Sequence, residues 1–171
     1  MEYESIPVET NDEADAAFLA GRCDVYTTDQ SGLYAQRSTY PNPDDWVVLP
    51  EIISKEPLGP SVRHGDSKWA DVVRWSLNAM IIAEEMGITS ANVDSFLGSD
   101  NPGILRLLGK EGAYGAMLGV NNDFGYQIIK QVGNYGEIYE RNVGPNTPLQ
   151  IGRGLNNLWN NGGVLYAAPI R

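Results

Sequence analysis

Three neighbouring residues, Thr27, Thr28 and Asp29, carry side chains suited to binding a polar ligand. They stand at the C-terminal end of a strand-like run that begins at Cys23, and in open α/β sheets ligands bind outside the carboxyl ends of the strands. A carboxylate accepts hydrogen bonds from an ammonium group, and Thr hydroxyls donate or accept them. Asp29 is also suited to capping the helix that follows, and spacing alone favours this structural role over ligand binding.

The other reactive residue types are isolated in the sequence. His64 is the only histidine and lies in a polar turn, which excludes a site built from several histidines. Cys23 is the only cysteine, so three interpretations stay open: a buried small hydrophobe, a disulfide partner for another segment, or, least favoured, a catalytic thiol. Glu84 and its neighbour Glu85 are typical of a solvated helix face. We predict no catalytic residue, no cofactor and no metal site.

Composition excludes several classes of partner. The 171 residues carry a formal net charge of −10, with only 12 Lys and Arg. Nucleic-acid binding needs a basic face to neutralise phosphates, and an anionic membrane surface would repel this chain. We therefore expect no nucleic-acid partner. The 42% hydrophobic content is enough for a sizeable core.

Neither a membrane span nor a secretion signal is predicted. No apolar stretch reaches the roughly 18–20 residues that cross a bilayer. Met1 is followed by Glu2, Tyr3 and Glu4 instead of a basic and then apolar segment, so no signal peptide is expected in this chain.

The first part of the chain alternates strand and helix patterns. A helix is predicted after Thr10 or Asn11, with Gly21 as its stop, and a second over Gly32–Arg37. Alternation of this kind is typical of a parallel α/β layer. The strand candidates, rich in β-branched and aromatic residues, are Tyr3–Val8, Cys23–Thr28 and Trp46–Pro50.

The rest of the chain has mainly helical patterns. The clearest helix is predicted from about Lys68 to Met86, with Asp66 or Ser67 as its cap and Gly87 as its stop. We place the division near residue 88, with an α/β part over 1–88 and a mainly helical part over 89–171. The further helical candidates are Ser90–Phe96, Ile104–Leu108, Phe124–Val132, Gly133–Arg141 and Leu149–Trp159.

Four segments resemble, in the same order, segments of the periplasmic amino-acid-binding proteins of ABC transporters, and three of them resemble the general L-amino-acid-binding subfamily in particular. The run Ala20–Val25 followed by Thr27–Asp29 resembles a segment found in periplasmic amino-acid-binding proteins more widely. The stretches that resemble the general L-amino-acid-binding subfamily are Pro50–Arg63, Val132–Asn142 and Leu155–Gly163. Together the segments cover nearly the whole chain, so it is identified as the C-terminal half of such a protein.

The resemblance implies a partial type II periplasmic-binding-protein fold, in which two α/β lobes joined by hinge strands close over the ligand. Residues 1 to about 26 would end lobe two, and residues from about 30 to 85 would return to lobe one and the hinge. The remainder would be a helical C-terminal extension. The resemblance also implies a periplasmic location and transport of L-amino acids through a membrane permease.

Two site residues follow from the resemblance. Asp29 matches the aspartate that binds the ligand's α-ammonium group, and Thr28 lies at the position that often faces the ligand side chain. The arginine that binds the α-carboxylate belongs to a part of the family upstream of Met1. We therefore expect this chain to need a partner that carries the first half, or a second copy of itself.

Two alternatives from other classes remain open. Some enzymes on this fold are dehydratases, and Asp29 with Glu56 could form an acid–base pair, although Glu56 is better explained as a hinge residue. A fragment with no ligand of its own would instead expose apolar surface, to which Tyr34, Trp46 and Trp75 could contribute.

Overall fold

The computed structural model describes residues 2–171; Met1, with which the predicted α/β part begins, lies outside the described residues. Four short 3-10 helices accompany the α-helices, at Pro43–Asp45, Val93–Phe96, Gly154–Asn156 and Trp159–Asn161. The α-helices within residues 2–171 are α1 (Asn11–Leu19), α2 (Gln30–Thr39), α3 (Ser67–Glu85), α4 (Pro102–Leu107), α5 (Tyr114–Leu118), α6 (Phe124–Val132) and α7 (Tyr135–Asn142).

The chain forms two compact units, Met1–Pro57 and Leu58–Arg171. This division differs from the predicted boundary near residue 88. The reason is helix α3, which buries Ala79, Ile82 and Ala83 and packs against α6 and α7. Those contacts join α3 to the helices that follow it, so the second unit begins before α3.

The N-terminal unit is built on two capped helices and a group of aromatic rings. Helix α1 begins with a capping box, in which Thr10 and Glu13 bind each other's backbone N–H groups. The side chains of Phe18, Tyr26, Tyr40 and Trp46 form an aromatic cluster, with ring centroids 4.8–6.4 Å apart in the pairs that touch.

The three predicted strands do not form a sheet within residues 2–171. Residues 3–8, 23–28 and 47–62 make no backbone–backbone hydrogen bond there, and the one β-bridge joins Leu158 and Leu165 in the other unit. A strand needs a neighbouring strand to satisfy its N–H and C=O groups. The β-type composition is present, but the described residues supply no partner strand, so these segments stay extended with Val47 77% and Ile53 80% exposed.

The C-terminal unit contains a well-formed hydrophobic core around α3. Asp66 caps this helix by accepting a hydrogen bond from the Trp69 N–H, and Gly87 follows its end with a positive φ of 68°. Such a backbone conformation costs glycine little, which explains the predicted stop. The fully buried members of the core include Ala79, Ala83, Ile88, Val93, Leu107, Leu108 and Ile129.

Close helix contacts and polar bonds hold this unit together. At Gly125 in α6, the space that a Cβ atom would take is occupied by the Leu107 carbonyl oxygen of α4, so only glycine allows this approach. The Asn134 side chain, which is buried, donates to the Ile88 carbonyl oxygen at 2.8 Å. Arg153 pairs with Glu84 of α3 at 3.0 Å and lies over the ring of Tyr135.

The helical predictions after α3 hold for α4, α6 and α7, whereas Ser90–Phe96 contains only the 3-10 helix Val93–Phe96 and α5 was not predicted. Helix α6 spans the predicted range Phe124–Val132, whereas the predicted helix Leu149–Trp159 contains only the 3-10 turn Gly154–Asn156. Arg153 accounts for part of this difference, because its guanidinium donates to the Asn156 carbonyl oxygen and stabilises a tight turn. Among residues 2–171, no helix combines the length and apolar character that a membrane span requires.

Candidate functional site

The structure places Asp29 at the N-cap of α2. Its Oδ2 atom accepts hydrogen bonds from the Gly32 N–H at 2.7 Å and from the Ser31 hydroxyl at 2.6 Å. The structural role that spacing favoured is therefore present. Both of these bonds go to Oδ2 and neither goes to Oδ1. The Thr28 hydroxyl and the Asp29 N–H make smaller hydrogen-bond contributions that also lower the pKa of this carboxyl.

The capping bonds also fix the charge of Asp29. The Ser31 hydroxyl, followed by the Gly32 N–H, lowers the pKa of this carboxyl below its usual value. A group donating to a carboxylate stabilises the ionised form. Asp29 is therefore negatively charged at neutral pH, which is the form that attracts an ammonium group.

Thr28 and Tyr26 are the residues near Asp29 that influence it or are influenced by it electrostatically. Thr28 is exposed, next to the N-terminus of α2. The pKa of Tyr26 is raised by burial and by the negative charges of Asp15 and Asp29, so its side chain shares the electrostatic environment of Asp29. Among these three residues Asp29 carries the negative charge, and none of them is a cation that could pair with a ligand carboxylate.

Sequence reasoning missed a second feature of the N-terminal unit, which is a set of buried polar atoms without hydrogen-bond partners. Within residues 2–171 they are the Tyr26 hydroxyl, the Arg37 Nε and the Trp46 Nε1 atoms. Buried polar groups in folded proteins nearly always have partners. All three belong to the unit whose predicted strands are unpaired. Composition carries no signal for this feature, because it depends on which atoms lie next to each other.

The remaining candidates do not join Asp29 in a reactive cluster. Cys23 is free and half-buried. His64 is exposed, and Glu56 is exposed with its carboxylate accepting a hydrogen bond from the Ser54 hydroxyl at 3.2 Å. Within the described range 2–171, no group of three or more His, Cys, Asp or Glu side chains is arranged to hold a metal ion.

The apolar residues named as candidates for an exposed patch are mostly covered. Tyr34 is half-buried beneath Arg37, whose guanidinium lies 5.2 Å from the ring centroid. Trp46 lies in the aromatic cluster, and Trp75 packs against the core of the C-terminal unit. The exposed apolar surface of the N-terminal unit comes instead from aliphatic side chains on its extended segments, including Val25, Val47 and Ile53.

Comparison with known proteins gives matches over the whole chain. The general L-amino-acid-binding periplasmic protein AapJ of Rhizobium johnstonii is 57% identical over 173 residues, which cover 100% of this chain and 51% of AapJ. The glutamate/glutamine/aspartate/asparagine-binding protein BztA of Rhodobacter capsulatus is 52% identical and is likewise covered to 51%. No protein-family model matches the chain.

A solved structure gives the same result. The ABC-transporter periplasmic binding protein of Brucella ovis, determined with glutathione bound, superposes with a TM-score of 0.90 at 58% sequence identity. The match covers 100% of this chain and 54% of that one. The chain is thus homologous, over about half of their length, to the periplasmic amino-acid-binding proteins of ABC transporters. The predicted family resemblance and partial binding-protein fold are confirmed.

Proposed function

We propose that this chain supplies one side of an amino-acid-binding site in the substrate-binding component of an ABC transporter. In this proposal Asp29 binds the α-ammonium group of an L-amino acid, and Thr28 lies beside the ligand side chain. The observation that supports this proposal is that both capping bonds to Asp29 end on the same carboxylate oxygen. Oδ2 accepts both of them, and in this proposal Oδ1 of the ionised group binds the ligand.

We infer that the other side of the site comes from outside the described residues. A zwitterionic ligand also needs a cationic partner for its carboxylate, because an unpaired charge is costly to take out of water. Arg37, which belongs to the same unit as Asp29, lies over Tyr34. We therefore infer that the polypeptide corresponding to the remaining half of AapJ or BztA completes the site, whether it precedes this segment or comes from another chain.

The relatives also suggest location and membrane partner. AapJ is described as periplasmic, and the Brucella ovis protein as part of an ABC transporter. We propose the same periplasmic location for this chain and delivery of its ligand to a membrane permease. Substrates are proposed from the same class, L-amino acids, with the amino acids in the name of BztA as the first to test.

Calorimetric titration tests the proposal. The chain, together with the polypeptide corresponding to the remaining half of AapJ, is titrated with L-glutamate, L-glutamine, L-aspartate and L-asparagine, and separately with glutathione. We expect saturable binding of at least one L-amino acid by the combined protein. Absence of binding by a combined protein that is demonstrably folded would contradict the proposed function.

Two substitutions separate the binding role of Asp29 from its capping role. Asp29→Asn keeps a good N-cap but removes the charge, so we expect stability within a few tenths of a kcal/mol of the unchanged protein and at least a tenfold loss of affinity. Asp29→Ala removes both functions and should also cost about 1 kcal/mol of stability. Asp66→Asn, at the N-cap of α3, is the matched control and should leave binding unchanged. Unaltered affinity in Asp29→Asn would exclude the ammonium role.

A catalytic role on the same fold is less well supported. A general acid at neutral pH needs a raised pKa, and that of Asp29 is lowered. Glu56 lies on a segment without backbone–backbone hydrogen bonds, and such a segment cannot hold a side chain firmly enough for proton transfer. Incubation of the combined protein with L-amino acids and analysis of the products by mass spectrometry would reveal turnover, which we do not expect.

A further inference from the structure

The C-terminal unit has a groove that the proposed function does not use. Its volume is about 430 Å³, which is large enough for several side-chain-sized groups. Two aromatic residues line it and remain open to solvent, Trp159 at 51% and Tyr166 at 72% exposure. Their ring centroids lie 5.8 Å apart with planes inclined at 69°. The apolar residues that line the rest of the groove are Ile82, Met86, Ala167, Pro169 and Ile170.

A carboxylate lies beside the aromatic pair. Glu85, which also lines the groove, accepts a hydrogen bond through Oε1 from the indole Nε1 of Trp159 at 2.9 Å. Its neighbour Glu84 is neutralised by Arg153, whereas Glu85 takes part in none of the ion pairs within residues 2–171. The indole N–H holds the carboxylate in place without cancelling its charge.

This set of groups matches the chemistry of an organic cation. Trp and Tyr rings attract cations electrostatically, and a carboxylate held next to them adds a charge contact. The apolar residues would lie against the alkyl stem that carries the cation, as they do for Lys and Arg stems elsewhere. Next to the aromatic rings an anion would meet the Glu85 carboxylate, although Arg171 also lines the groove. A purely apolar ligand would leave the Glu85 carboxylate partly desolvated without compensation.

We propose that the groove lined by Trp159, Tyr166 and Glu85 is a binding site for an alkyl guanidinium or alkyl ammonium group. Such a group is carried either by a small free amine or guanidine, or by an Arg or Lys side chain of a polypeptide. Arg171 also lines the groove, is exposed and forms no ion pair within residues 2–171. Its guanidinium repels an incoming cation, so its removal strengthens binding.

The test follows the indole N–H signal of Trp159 by ¹⁵N–¹H NMR of the full chain. The four Trp signals are separated by comparison with Trp159→Phe. The chain is titrated with n-butylguanidinium and, as a neutral molecule of the same shape, n-butylurea. We expect a saturable shift with the guanidinium, at a dissociation constant on the order of millimolar for a half-open site, and little shift with the urea. Equal shifts with the two compounds would overturn the proposal.

Three variants sharpen the result. Glu85→Gln keeps an acceptor for the indole N–H but removes the charge, and should weaken guanidinium binding about threefold or more. Glu140→Gln is the matched control, an exposed residue of the same unit that does not line the groove, and should change nothing. Arg171→Gln should bind more tightly than the unchanged chain. Unchanged binding in Glu85→Gln, or weaker binding in Arg171→Gln, would contradict the assignment.

A second pair of probes distinguishes the two sources of the cation. The tripeptide acetyl-Gly-Arg-Gly-amide is compared with the same peptide carrying citrulline, which has the shape of Arg without its charge. Tighter binding of the Arg peptide than of n-butylguanidinium assigns the groove to a side chain of a polypeptide. Weaker binding of the Arg peptide assigns it to a small free amine or guanidine. Equal binding of the Arg and citrulline peptides, like equal binding of the guanidinium and the urea, overturns the proposal.

Discussion

The two units of this protein differ in how many apolar residues they bury and in how completely their buried polar atoms are hydrogen-bonded. In the C-terminal unit, apolar residues from α3, α4 and α6 form a buried core, and the buried polar side chain of Asn134 is bonded to the Ile88 carbonyl oxygen. The N-terminal unit buries few apolar residues, of which Ala17 and Tyr40 are the most enclosed. It also holds every buried side-chain polar atom without a partner found within residues 2–171.

The difference shows which contacts each unit needs. Helices satisfy their own backbone hydrogen bonds, so a helical unit becomes complete once its apolar faces meet. Strands depend on neighbours, and residues 23–28 and 47–57 of the N-terminal unit have none among the described residues. The N-terminal unit is therefore the part of the molecule in which stability, and under the proposed function ligand binding, should respond most to a polypeptide corresponding to the remaining half of AapJ.

The largest difference in stability between the two units should come from the same Ile→Ala substitution made once in each of them. Ile129 in α6 is fully buried and Ile53 is 80% exposed. Ile129→Ala removes core contacts and leaves a cavity, so we expect it to lower the free energy of unfolding by about 2–5 kcal/mol. Ile53→Ala should change it by less than about 0.5 kcal/mol. Urea denaturation followed by circular dichroism measures both, and equal costs would remove the distinction between the units.

A second prediction concerns the pH dependence of the C-terminal unit. Burial alone would raise the pKa of Glu137, but hydrogen bonds from the Ser90 hydroxyl and from the Asn134 and Ser90 N–H groups outweigh burial and lower it below 4.5. A lowered folded-state pKa contributes stability that is present above pH 4.5 and is lost as the pH falls through the folded value. Acidification below pH 4.5 should therefore destabilise this unit.

Glu137→Gln tests that assignment. The substitution removes the charged acceptor, so it should cost about 1–3 kcal/mol at pH 7 and make the free energy of unfolding less sensitive to pH below 4.5. Glu140→Gln, an exposed acid on the same helix, should leave both properties nearly unchanged. A Glu137→Gln protein with the original acid sensitivity would show that another carboxyl controls it.

A smaller contrast lies within the N-terminal unit, between two tyrosine hydroxyls. Tyr40 donates to Asp15 at 2.6 Å, whereas the buried Tyr26 hydroxyl has no partner among the described residues. Tyr40→Phe should cost about 1 kcal/mol, and Tyr26→Phe should be neutral or slightly stabilising in this chain. Thermal unfolding of both variants measures this. A similar cost for Tyr26→Phe would mean that its hydroxyl is satisfied in solution.

Most of the α-helices, though not α5, could be predicted from the sequence because their signals are local. Thr10, Asp66 and Gly87 act as the caps and the stop that their residue types indicated, and the apolar spacing over 124–132 gave the bounds of α6. The capping role of Asp29 was also evident from the residues alone. Its ligand-binding role came from family resemblance and stays a prediction.

The features that were missed or predicted wrongly depend on contacts between distant residues. The β-type residues of 23–28 and 46–50 describe a preference for a sheet, and they cannot show whether neighbouring strands are present. Helix α3 has an apolar stripe that fits either side of a domain boundary, so only its packing on α6 and α7 places it in the C-terminal unit. The groove at Trp159 likewise depends on Glu85, which is far away in the sequence.

Hydrogen–deuterium exchange of residues 47–62, of which 47–57 belong to the N-terminal unit, tests most directly whether a polypeptide corresponding to the remaining half of AapJ completes that unit. In the chain alone, these amides should exchange within seconds, while those of α3 and α6 remain protected. Addition of the polypeptide corresponding to the remaining half of AapJ should slow exchange over 47–62 by about two orders of magnitude or more, with little change in α6. Fast exchange that persists over 47–62 in a complex that binds an L-amino acid would contradict this account.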